Sequence, residues 1–122
     1  MMNILLNESD RPRQQLLRKR LQQQGNRVWP VNKLYDAKSR MKKVKFDLMI
    51  VDADAQRIDD ITTFIEHYDT LPVLLQASRL DSSLDFRYWI ADALVEKNET
   101  GDNVVDAVTK LLGTNLSRED LC

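Results

Sequence analysis

The chain has 122 residues, 43% hydrophobic and 30% charged, which predicts one soluble domain with a core of its own. A single Cys (Cys122) excludes a disulfide framework and a cysteine metal cluster, no apolar stretch approaches the ~18–20 residues of a membrane span, and "MMNILLNESD" lacks the pattern of a signal peptide, so a reducing, cytoplasmic setting without membrane contact is expected. The net charge of −1 hides an asymmetry: residues 1–45 hold 12 Lys/Arg against three acids (+9), and residues 46–122 six against 16 (−10).

Strands and helices alternate along the chain. "NILLN" (3–7) is a first short strand, followed by a helix capped by Ser9 or Asp10, with Pro12 in its first turn, Leu17 and Leu21 on one face and Gly25 as its stop. "RVWPV" (27–31) is a second strand whose proline places it at a sheet edge. Asn32 is expected to cap a helix carrying Leu34, Ala37, Met41 and Val44 at helical spacing. "FDLMIVD" (46–52) is a strand dense enough in apolar residues to be covered on both faces, as strands of parallel sheets are. A third helix shows the stripe Ile58, Ile61, Ile65 and Tyr68.

"LPVLLQA" (71–77) reads as the fourth strand, "SSLDFRYWI" (82–90) as the fourth helix and "ADALVE" (91–96) as the fifth strand. The last helix is expected over 103–113, with Val104, Val108 and Leu111 facing inward and Gly113 ending it, before a polar tail over 114–122. Five strand–helix units predict an α/β fold: a five-stranded parallel sheet with helices on both faces. In such folds ligands gather at the carboxyl ends of the strands. Glu8 follows the first strand, Asp52 ends the third, Asp54 lies two beyond it, and Lys97 follows the fifth.

This constellation resembles the receiver (CheY-like) domain of two-component response regulators, over residues 2 to about 113. "DLMIVDADAQRIDDI" is similar to the phosphoacceptor segment, "LPVLLQAS" to the fourth strand, and "ADALVEK" to the stretch ending in the family lysine. The resemblance implies a flavodoxin-like strand order 2-1-3-4-5, and a non-enzymatic role in a phosphorelay. Asp52 would be the phosphoacceptor, taking a phosphoryl group from a sensor histidine kinase or phosphotransfer protein, with Lys97 against its oxygens. A carboxylate can attack phosphorus when a cation neutralises the incoming oxygens, which lysine does as a compact point charge. Mg²⁺ could sit on Glu8 and Asp52.

The sequence departs from the family pattern in the metal site and in the switch. The second acid after strand one is Ser9, which implies weak Mg²⁺ binding, although Asp10 stands beside it in the acidic pocket. The switch hydroxyl falls on Ala77, with Ser78 one residue on, and the switch aromatic on Leu94. Arg79, two beyond Ala77, could pair with Asp54 and place a fixed cation at the site; an inconsequential rim pair is the plainer reading. Phe86, Tyr88 and Trp89 cannot share one helical stripe, so at least one is a candidate for an interface or homodimer through the fourth helix, fifth strand and last helix.

Two alternatives stand beside the phosphorelay. One is a phosphorylation-independent pseudo-receiver that docks or dimerises. The other is an Mg²⁺-dependent Toprim-like or phosphatase-like site using Glu8, Asp52 and Asp54, weakened by the absence of glycines near those acids. No Gly-rich phosphate loop exists, and "NESDRPR" would present acids to a phosphate, so neither a flavin nor a nucleotide is expected. His67 reads as a solvent-facing helix residue. The cationic faces, among them Arg18, Lys19, Arg20, Lys42 and Lys43, read first as solvated surface, with an anionic partner or head-to-tail self-association as the sharper alternative; direct nucleic-acid binding is not expected.

Overall fold

The computed structural model describes residues 2–68, 70–80 and 91–121. The apolar runs form β1 (Asn3–Asn7), β2 (Arg27–Val31), β3 (Leu48–Asp52), β4 (Val73–Ala77) and β5 (Ala93–Glu96). Between and after them come α1 (Arg11–Gln23), α2 (Leu34–Met41), α3 (Ile58–His67) and α4 (Asp102–Leu121). All strand pairs are parallel and the order is β2-β1-β3-β4-β5, the flavodoxin-like order. β2, with Pro30, lies at an edge where its missing N–H costs no ladder bond.

Strand alternation divides the core in two. Leu5, Met49, Val51, Val73, Leu75 and Ala77 pack on Leu34, Ala37, Ile61 and Phe64, from α2 and α3. Ile4, Leu6, Leu48, Ile50 and Leu74 pack on Leu17, Leu21, Val104 and Val108, from α1 and α4. β3 is buried at all five positions, as a central strand covered by helices on both faces must be. Asp52 is opposite Gln76, and Ala77 opposite Glu96, so the polar carboxyl ends of β3, β4 and β5 lie side by side.

Of the two capping candidates for α1, Asp10 is the cap, its Oδ2 accepting from Arg13 N at 3.3 Å. Other local expectations are corrected. Asn32 does not cap α2, which starts after Lys33 without a side-chain cap, because Asn32 O accepts from Asn7 Nδ2 and its Oδ1 from Gln14 Nε2. The buried positions of α3 are Ile61 and Phe64, with Ile58, Ile65 and Tyr68 only half-buried. Gly113 does not end α4, which continues to Leu121; a glycine inside a helix costs only about 1 kcal/mol. The helix expected over 82–90, with Phe86, Tyr88 and Trp89, lies outside the described residues.

Candidate functional site at the carboxyl ends of the strands

Asp52, last residue of β3, is 1% exposed. Its backbone N–H donates to Asn7 Oδ1 at 3.2 Å, while Asn7 Nδ2 donates to Asn32 O at 3.1 Å. Asn7 thereby ties β1 to the ends of β2 and β3. The carboxylate is held from three sides: Lys97 Nζ donates to Oδ1 at 2.8 Å, Asp54 N to Oδ1 at 3.0 Å, and Ser9 Oγ to Oδ2 at 3.2 Å. Lys97 Nζ also lies 3.0 Å from Asp54 Oδ2 and 3.8 Å from Glu8 Oε2. One lysine thus faces all three acids, because β5 and the ends of β1 and β3 deliver their polar residues to a single edge.

Glu8 is fully buried. Its Oε2 accepts from Gln76 Nε2 at 2.9 Å, and its Oε1 accepts no hydrogen bond but lies 3.5 Å from Arg13 Nε. Burial and a hydrogen bond to Asp52, with Asp52's charge behind it, push the Glu8 carboxyl up to about 8 against the opposing charges of Lys97 and Arg13. It is therefore neutral at pH 7. Burial pulls Asp52 the same way, but hydrogen bonds from Lys97 and Glu8 outweigh it and hold Asp52 below the ordinary carboxylate range. Asp54 is also held low, its desolvation outweighed by Ser78 and Lys97. Lys97, desolvated yet bonded to Asp52 and Asp54, is raised. At neutral pH the carboxylates of Asp52 and Asp54 share one cation, Lys97, while Arg13 lies against Glu8.

The sequence-derived candidates divide as follows. Glu8, Ser9, Asp52, Asp54 and Lys97 converge. Asp10 does not join them, since it is spent on the α1 cap. Asp54 does not pair with Arg79; it takes Lys97 and Ser78, whose N–H donates to Oδ1 and Oδ2 at 3.1 and 3.0 Å and whose Oγ donates to Oδ2 at 2.6 Å. Ser78 therefore serves Asp54 rather than Asp52, and Ala77 is buried in the core. Leu94 is half-buried and packs against the same cluster. Sequence reasoning missed Asn7, Arg13 and Gln76; the only signal was a polar residue inside or ending an otherwise apolar strand, in "NILLN" and "VLLQA".

These residues do not fit Mg²⁺. That ion takes oxygen ligands in near-octahedral array, usually one or two carboxylates with several waters. Glu8 faces the Arg13 guanidinium, both Asp52 oxygens are already held by Lys97, Asp54 N and Ser9 Oγ, and among the described residues no three His, Cys, Asp or Glu side chains are placed to hold a metal. Nor is any helix among the described residues long and apolar enough to cross a membrane.

No family model and no curated protein matches the sequence. Solved structures do match. Response regulator TrrA of Thermotoga maritima, in complex with Mg²⁺-BeF, is 21% identical over 91% of this chain and 99% of its own, with a TM-score of 0.78. TrrA in complex with the histidine kinase ThkA gives 22% identity, 92% and 99% coverage and a TM-score of 0.78. A streptococcal redox sensor, of a family evolved from two-component response regulators, is 19% identical with a TM-score of 0.80, all of this chain spanning 56% of that one. The chain has the fold of response-regulator receiver domains.

Proposed function

We propose that the chain is a receiver-like signalling domain, rather than an enzyme, in which Asp52 is the phosphoacceptor. The observation that carries this reading is the Lys97 Nζ–Asp52 Oδ1 contact of 2.8 Å at the carboxyl end of the central strand. An ionised carboxylate beside a fixed cation is equipped to attack phosphorus. With a phosphohistidine donor, an Asp52 oxygen forms the new O–P bond, the N–P bond breaks, and the imidazole leaves with a proton. Lys97 neutralises the transferred oxygens. A sensor histidine kinase or phosphotransfer protein is the proposed partner, in line with the complex known for TrrA.

Intact-mass spectrometry after incubation with acetyl phosphate, beside Asp52→Asn, tests the proposal. One added phosphoryl group, absent in the variant, supports it; a folded wild-type protein that gains none refutes it. A second reading, the phosphorylation-independent docking module, is favoured by buried Ala77 at the switch position and by Ser78 being engaged with Asp54. Under that reading Asp52→Asn leaves partner binding unchanged.

A further inference from the structure

Gln76 is a fully buried amide at the end of an apolar strand, in register with Asp52. Burying an amide is costly unless each of its groups is bonded, so its partners explain its presence. Its Nε2 donates to Glu8, and its Oε1 accepts from Arg13 Nε and Nη2 at 3.3 and 3.0 Å. Arg13 comes from α1, its side chain only 12% exposed. Its Nη1 donates to Asn98 O at 2.7 Å, on the residue that follows Lys97. One guanidinium therefore touches the end of β4, the acid after β1 and the loop that carries the pocket lysine. A permanently charged planar fork with five donors is suited to such a junction.

We infer that Arg13 is a resident cation that replaces a divalent ion in this pocket: through Gln76 it holds Glu8, its charge excludes a metal from Glu8 and Asp52, and through Asn98 it holds Lys97 against Asp52. Arg13 is a positioning residue, since it touches Glu8 and Gln76 but not Asp52. The inference does not depend on Asp52 being phosphorylated. It makes a pocket assembled without metal, and so equally formed in chelator and in Mg²⁺.

The test measures Mn²⁺ binding by electron paramagnetic resonance, and the thermal midpoint in EDTA and in millimolar Mg²⁺, on the full chain. Wild type is expected to bind no Mn²⁺ saturably and to melt at the same temperature in both buffers. Arg13→Met should gain metal affinity by about tenfold or more, with a midpoint that now rises in Mg²⁺, and Arg13→Lys should return towards indifference. Saturable wild-type binding with a rising midpoint overturns the inference, as does a folded Arg13→Met protein as indifferent as wild type. If Arg13→Met does not fold, Arg13→Gln, which removes the charge but keeps a polar amide beside Gln76 and Glu8, takes its place: a gain in Mn²⁺ binding supports the inference and continued indifference overturns it.

Discussion

Replacing Glu8 by Gln should change how stability depends on pH. The folded protein raises the Glu8 carboxyl from 4.5 to about 8, burial being the main cause. Between those two values the unfolded chain has lost the proton and the folded one keeps it, so the unfolded state binds fewer protons and stability falls as pH rises. The slope approaches about 1.4 kcal/mol per pH unit, so the loss by pH 7 is about 3 kcal/mol, a large part of a typical total of about 5–15 kcal/mol. Asp52 and Asp54 act in the opposite direction. Their lowered values contribute stability above the ordinary carboxylate range, and it is lost as pH falls through their folded values. Wild type should therefore be most stable near pH 5. Gln is the neutral isostere of protonated Glu8: it can accept from Gln76 and donate towards Asp52. Urea unfolding followed by circular dichroism at pH 5, 6 and 7 should show the variant close to wild type at pH 5 and more stable by about 3 kcal/mol at pH 7. Parallel curves for the two proteins over that range would refute the account of Glu8.

Other perturbations separate the packing from the site. Ile50→Ala, at a fully buried position of the central strand, should cost about 2–5 kcal/mol in urea unfolding; a loss under about 1 kcal/mol would contradict the two-sided burial of β3. Lys97→Met leaves Asp52 and Asp54 without their shared cation and should cost about 3 kcal/mol at pH 7, with less lost in acid as the two uncompensated acids take up protons; equal losses at neutral and acid pH would deny the pairing. Ser9→Asp restores an acid beside Asp52 and should give weak Mg²⁺ binding in calorimetry where wild type shows none; a variant as silent as wild type would contradict the role given to Ser9. Gly101→Ala should cost about 1–3 kcal/mol, since Gly101 has φ +76° and an added Cβ would meet Leu17 Cδ2 at 2.9 Å; a neutral effect on the thermal midpoint would show that the loop before α4 yields easily.

Local sequence pattern was sufficient for most of the architecture. Runs such as "LMIVD" and "VLLQA" are buried throughout, and Leu17 with Leu21 lie one helical turn apart on the buried face of α1. Period two and period 3.6 are properties of neighbouring residues, and they predict strands and helices without reference to the rest of the chain. The strand order came from the resemblance. Helix ends were less legible: Asn32 has a capping side chain and Gly113 a stopping backbone, but the first is bound by Asn7 and Gln14, and the second lies within a helix that continues.

The sequence by itself determined that Glu8, Asp52 and Lys97 would meet, because each stands at or just past the carboxyl end of a parallel strand, and those ends share an edge. Tertiary structure alone decided what they meet. Arg13 lies five residues from Glu8 but 63 from Gln76 and 85 from Asn98, so no window of sequence brings these partners together. Asp54 and Arg79 were placed by counting along adjacent strands, yet Lys97 and the Ser78 N–H reach Asp54 instead. Period and strand ends are local quantities, written residue by residue. Hydrogen-bond partners and the protonation of a buried acid depend on three-dimensional proximity and on water removed from around the group, and they exist only once the sheet and its helices have packed.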